Sequence, residues 1–116
     1  MCKFIGVEII AANALINIIE SGKGRSISLK DLNKCGIEVV NYLEKEFNEK
    51  AVVLYDRNRI GSFIVDYSGY FCYSNDTLYV NEGVTTEQLR ERFRGQLSFE
   101  ILSAIIKSVQ LIFKFS

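Results

Sequence analysis

A chain of 116 residues, 48% hydrophobic and 24% charged, is one domain's worth of protein: too short for a second full core and too apolar to stay unfolded. Fourteen basic residues balance fourteen acidic ones. With no surplus of cations to neutralise a polyphosphate backbone, the composition argues against a general DNA binder.

The absence of histidine removes the commonest acid–base group and zinc ligand, which disfavours serine hydrolases, histidine-dependent nucleases and His-ligated metal sites. Cys2, Cys35 and Cys72 are widely spaced and form no C-x-x-C pair. They read as reduced thiols of a cytosolic protein. Phe4 to Leu15 is apolar but carries Glu8 and lacks a basic leader and a clear cleavage site, so it does not read as a signal peptide. Ile101 to Phe115 is too short to cross a bilayer and contains Lys107 and Gln110.

Taken in chain order, Phe4 to Ile10 is β-branched enough for a first strand, and Ala11 to Glu20 either extends it or turns helical. Ser21 to Ser26, with Gly22 and Gly24, reads as a mobile loop. Ser28 followed by Asp31 has capping-box spacing, and the stripe Leu32, Gly36, Val39, Val40, Leu43 and Phe47 predicts a helix from Leu29 to Asn48. Ala51 to Tyr55 is a short strand. The runs Ser62 to Tyr67, Tyr70 to Tyr73 and Thr77 to Val80, broken by Ser68-Gly69 and Asn75-Asp76, predict an antiparallel meander. Thr85 with Gln88 opens a second helix that stops at Gly95, and Ser98 caps a third. The stripe Ile101, Leu102, Ile105, Ile106, Val109, Ile112 and Phe113 either completes the chain's own core or, with Phe115, packs on another subunit. The expectation is a single α+β domain over residues 1–116: an antiparallel meander packed with about three helices, the C-terminal one in an oligomer interface.

Thr86, Arg90 and Arg94 are each four residues apart and share one helix face. Two guanidiniums one turn apart repel unless an anion sits between them, and their forks suit phosphate oxygens. The plain alternative is a solvated face on which Glu87 and Glu91 pair with the arginines. Phe63, Tyr67, Tyr70, Phe71, Tyr73 and Tyr79 are dense enough to stack a base, or simply to fill a core. With a three-residue hairpin loop, Phe71 lies opposite Asn81 on one face; with a two-residue turn, Tyr70 takes that place. Asp56-Arg57-Asn58-Arg59 leaves a strand end with two more cations and is also ordinary turn chemistry. Glycine-rich phosphate loops, nucleophile elbows and carboxylate clusters are absent.

Asp31-Leu32-Asn33-Lys34-x-Gly36, Asp56-Arg57-x-Arg59-Ile60, Phe63-Ile64-x-Asp66-Tyr67-Ser68-x-Tyr70-Phe71 and Phe93-Arg94-Gly95-x-Leu97-Ser98 together resemble the first type of Thoeris anti-defense protein, a small phage and prophage sponge. The resemblance covers about Lys30 to Leu97. It implies no catalysis, no cofactor and no metal. The protein would bind the glycocyclic ADP-ribose signals (1''-2' or 1''-3') of Thoeris TIR proteins and starve the effector, as a cytoplasmic homo-oligomer, dimer to hexamer, in the infected host cell. By that resemblance Phe71 stacks on adenine, Asn81 hydrogen-bonds the ligand, and Arg94 with Arg57 neutralises the diphosphate. Thr86 and Arg90 would hold CBASS cyclic trinucleotides in a second pocket, which the short Asn81 to Thr86 segment puts in question. DNA, RNA and membranes are not expected partners. Rival readings are a nucleotide-cleaving anti-defense enzyme and a protein-binding inhibitor of a host immune factor.

Overall fold

The computed structural model describes residues 2–95 and 97–113. Among them are five helices, a parallel strand pair and a three-stranded antiparallel sheet, an α+β domain. Strand β1 (Cys2–Gly6) runs straight into α1 (Val7–Glu20), the central helix, whose residues from Ile10 to Ile16 are all buried. The strand expected over Phe4 to Ile10 therefore stops at Gly6. Val7, Ile9 and Ile10 are β-branched, but the alanines and Leu15 that follow favour helix. A segment buried on every side also shows no period that would separate the two.

Strand β2 (Ser26–Ser28) leads into α2 (Leu29–Phe47). Ser28 Oγ accepts a hydrogen bond from Asp31 N at 3.1 Å, and Asn48 closes the helix in the left-handed region at φ 52°. Leu32, Cys35, Gly36, Val39 and Leu43 form its buried stripe. Strand β3 (Lys50–Leu54) pairs parallel with β1, Phe4 beside Val52.

Residues 57–66 depart most from expectation. They form a helix, α3 (Arg57–Asp66), capped by Asp56 Oδ1 on Asn58 N at 2.9 Å, so Ser62 to Tyr67 is not a strand of the meander. Ile60, Phe63, Ile64 and Tyr67 repeat at i, i+3, i+4 and i+7 and turn one face to the core, while Val65 is 74% exposed. Local β propensity loses here to the cap and to packing on α1.

The hairpin β4 (Phe71–Ser74) and β5 (Thr77–Val80) turns through Asn75 and Asp76, both at positive φ (51° and 55°), and pairs Phe71 with Val80. That is the two-residue turn that Asn-Asp favours. Strand β5 lies between β2 and β4. Thr85 and Gln88 form the expected capping box of α4 (Thr86–Phe93), and Ser98 Oγ accepts from Ile101 N at 3.3 Å to start α5 (Phe99–Ile112). Ala104, Ile105 and Val109 are buried in the chain's own core, with Ile101, Ile112 and Phe113 packed against it. Of the expected interface, Phe115 lies outside the described residues. No helix among the described residues is long and apolar enough to cross a membrane.

Helix α5 also puts Ser108 against Cys35, which is fully buried. Burial pushes the Cys35 thiol from 9.0 up to about 11; the Ser108 hydrogen bond opposes that shift, and Asp31 and Glu38 reinforce it. Below pH 9 the thiol is protonated whether folded or unfolded and contributes no pH dependence. Between about 9 and 11 only the unfolded chain releases the proton, so stability falls by up to about 1.4 kcal/mol per pH unit. The urea midpoint is expected to drop across that window and to flatten in Cys35→Ala; an unchanged slope in the variant would rule this group out as the cause.

Candidate functional site

Helices α1 and α4 pack together, and the cationic row lies along their seam. Leu89 and Phe93 face inward from α4. Beneath them Asn13 of α1 is 0% exposed, and its amide nitrogen donates to Ile9 O at 3.0 Å and to Phe93 O at 3.3 Å. Its amide oxygen accepts from Arg94 Nε at 3.5 Å. A buried amide that closes the last turn of α4 in this way fixes where the Arg94 guanidinium begins.

Arg94 is half-buried and has no ion-pair partner among the described residues; its Nη2 is buried without a hydrogen-bond partner there. Burial lowers its pKa, and the positive charge of Arg90 lowers it further. Arg90, one turn earlier, is exposed and pairs with Glu20 at the end of α1. The expected pairing with Glu87 or Glu91 does not form among the described residues. The two helices run side by side, so Arg90 meets Glu20 while Arg94 meets the neutral Asn13. A half-buried guanidinium with one nitrogen unpartnered among the described residues, next to a second guanidinium, is a place where an anion is favourable. Thr86 starts the same helix and is half-buried.

Asn81 sits just beyond β5. Its backbone N–H donates to Tyr70 O at 2.8 Å and its side-chain amide to Ser68 O at 2.9 Å. Tyr70, not Phe71, is therefore its cross-strand partner. Phe71 points the other way, is 1% exposed, and packs against Phe63 and Phe93 at centroid distances of 4.9 and 5.5 Å. The stacking ring assigned by resemblance is thus inside this subunit's core, because one residue of register exchanges the two faces of a strand. Arg57 is the first residue of α3, and its side chain lies outside the described residues.

Arg25 went unnoticed in the sequence. Its Nη2 donates to Asn81 O at 2.8 Å and to Val84 O at 2.9 Å, which holds the turn that joins Asn81 to α4. Its partners are main-chain carbonyls 56 and 59 residues away, and no local pattern reveals such a contact. Arg25 and Asn81 thus meet at the turn that leads into α4, which carries Thr86 and Arg90 and is closed by Arg94.

A cleft of about 480 Å³ lies on the other side of Phe93, lined by Glu8, Asp56, Asp66, Arg59 and Tyr67 among others. Arg59 is paired with Glu8 at 2.8 Å. Among the described residues its lining holds three carboxylates, Glu8, Asp56 and Asp66, and one guanidinium. Neither Arg90 nor Arg94 lines it. Among the described residues no group of three or more His, Cys, Asp or Glu side chains is placed to hold a metal ion. No family model, curated protein or solved structure matches this chain.

Proposed function

We propose that this protein is a non-catalytic phage or prophage sponge that binds glycocyclic ADP-ribose made by Thoeris TIR proteins and holds it intact in the host cytoplasm. The observation that carries this reading is Arg94: a half-buried guanidinium with a nitrogen unpartnered among the described residues, one turn from Arg90, is suited to a phosphate oxygen pair. Asn81, held at the turn before α4 by Arg25, supplies an amide for the ribose or base in this reading. With Phe71 in the core, Tyr70 is the ring that shares a face with Asn81, and it takes the stacking role in this reading. Sequestration needs no proton transfer, which suits a chain without histidine. Retention needs an enclosed pocket, which a second subunit laid over the α4 face would complete. Cyclic trinucleotide capture through Thr86 and Arg90 is the alternative ligand class at this row.

The test is recovery of ligand. The protein is incubated with 1''-3' glycocyclic ADP-ribose, freed of excess, and heat-denatured. Release of unmodified ligand is the expected result. A hydrolysed product would establish the rival enzyme, and no captured nucleotide together with a stable host-protein complex would establish the inhibitor.

A further inference from the structure

We propose that Asn13 is a positioning residue for anion binding: it aims the Arg94 guanidinium and, being neutral, leaves that charge free for a phosphate. The inference rests on the reading of Arg94 as an anion receptor and not on which nucleotide carries the phosphate. The other buried residues of α1 are valine, isoleucine, alanine and leucine. An amide among them costs desolvation unless its polar atoms are used. Asn13 Nδ2 donates within its own helix to Ile9 O at 3.0 Å and across to α4 at Phe93 O at 3.3 Å. Two carbonyls on the nitrogen fix which way the amide faces, so Oδ1 is the atom turned to Arg94 Nε, at 3.5 Å. The bond to Phe93 O also ties Asn13 to the residue before Arg94. It satisfies a carbonyl at the end of α4, where the helix dipole is negative and an anion is otherwise disfavoured.

The neutrality of the amide matters as much as its place. Arg90 and Arg94, one turn apart, both meet α1, and there Arg90 meets the carboxylate of Glu20. A carboxylate at position 13 would pair with Arg94 in the same way and compete with a phosphate for its fork. Asparagine has nearly the shape of aspartate without the charge, so it can orient the guanidinium and not neutralise it. A clasp between α1 and α4 needs only the bond from Nδ2 to Phe93 O. The contact of Oδ1 with Arg94 Nε goes beyond that clasp.

The isotope-labelled full chain is titrated with inorganic pyrophosphate and followed by NMR, through the Arg94 Nε–Hε resonance, assigned by its loss in Arg94→Ala, and through backbone amides. Wild type should show a saturable shift, and its Arg94 Hε should exchange with water more slowly than that of the exposed Arg90. Asn13→Leu and Asn13→Asp should each weaken pyrophosphate binding at least about fivefold, the first by releasing the guanidinium and the second by pairing with it. In the Arg94→Ala background neither should change the residual binding by more than about twofold, whereas a purely structural clasp would act equally in both backgrounds. Equal weakening in the two backgrounds, unchanged binding in the folded Asn13 variants, or Arg94 Hε exchange as fast as that of Arg90 would overturn the proposal. Should neither Asn13 variant fold, the exchange comparison in wild type decides. No saturable response up to about 20 mM pyrophosphate also overturns it, while the sponge reading is judged separately by ligand recovery. A pyrophosphate response that follows these rules without capture of glycocyclic ADP-ribose upholds the positioning role and removes the sponge reading alone.

Discussion

Arg94→Ala is expected to weaken glycocyclic ADP-ribose binding by about 100-fold or more while leaving the fold intact. Charge-assisted hydrogen bonds are worth about 1.5–3 kcal/mol each, and a two-pronged contact to phosphate loses both at once. Stability should change little, because the side chain surrenders only one long hydrogen bond to Asn13 and removes a charge that burial and Arg90 already disfavour. Arg94→Lys keeps the charge without the fork and should recover only part of the affinity. Calorimetric titration beside a thermal melt separates the two effects. Binding within threefold or so of wild type in a folded Arg94→Ala protein would remove this residue from the site.

Phe71→Ala is expected to cost about 3–5 kcal/mol of folding stability, the loss typical of a large aromatic cut out of a packed core. Phe71 is 1% exposed and touches Phe63, Tyr70 and Phe93. Urea denaturation should show a large fall in midpoint, and Phe71→Leu a smaller one. Because the Phe71 ring is buried and meets no ligand in this reading, ligand binding should fall only as far as the folded fraction falls. Tyr70→Ala should lose binding and, because its half-buried ring packs edge-on to Phe93 at 5.8 Å, cost some stability but less than Phe71→Ala. If the two variants behaved the other way round, the register-based assignment of the stacking ring would fail.

These predictions differ from what the motif spacing alone suggests. The interval between Phe71 and Asn81 is right for a cross-strand pair only if the hairpin turns in three residues. Asn75 and Asp76 both enter the left-handed region and make the turn in two. The Asn-Asp dipeptide by itself favours the two-residue turn. Helix α3 was legible as well, in the spacing of Ile60, Phe63, Ile64 and Tyr67 and in the Asp56 cap, but its aromatic and β-branched composition favours strand.

Features set by hydrogen bonds within four residues were determined by the sequence itself. The Ser28, Thr85 and Ser98 caps placed the starts of α2, α4 and α5; the α2 stripe became core, and of the α5 stripe Ile101, Ile105, Val109, Ile112 and Phe113 did, whereas Leu102 and Ile106 did not. Tertiary structure decided that Phe71 lies inside, that Arg25 braces a turn far along the chain, and that Arg94 meets a neutral amide where Arg90 meets a carboxylate. The physical reason is range: caps and turns satisfy backbone groups with atoms close in the chain, whereas burial and the pairing of a charge depend on which distant segment packs beside it.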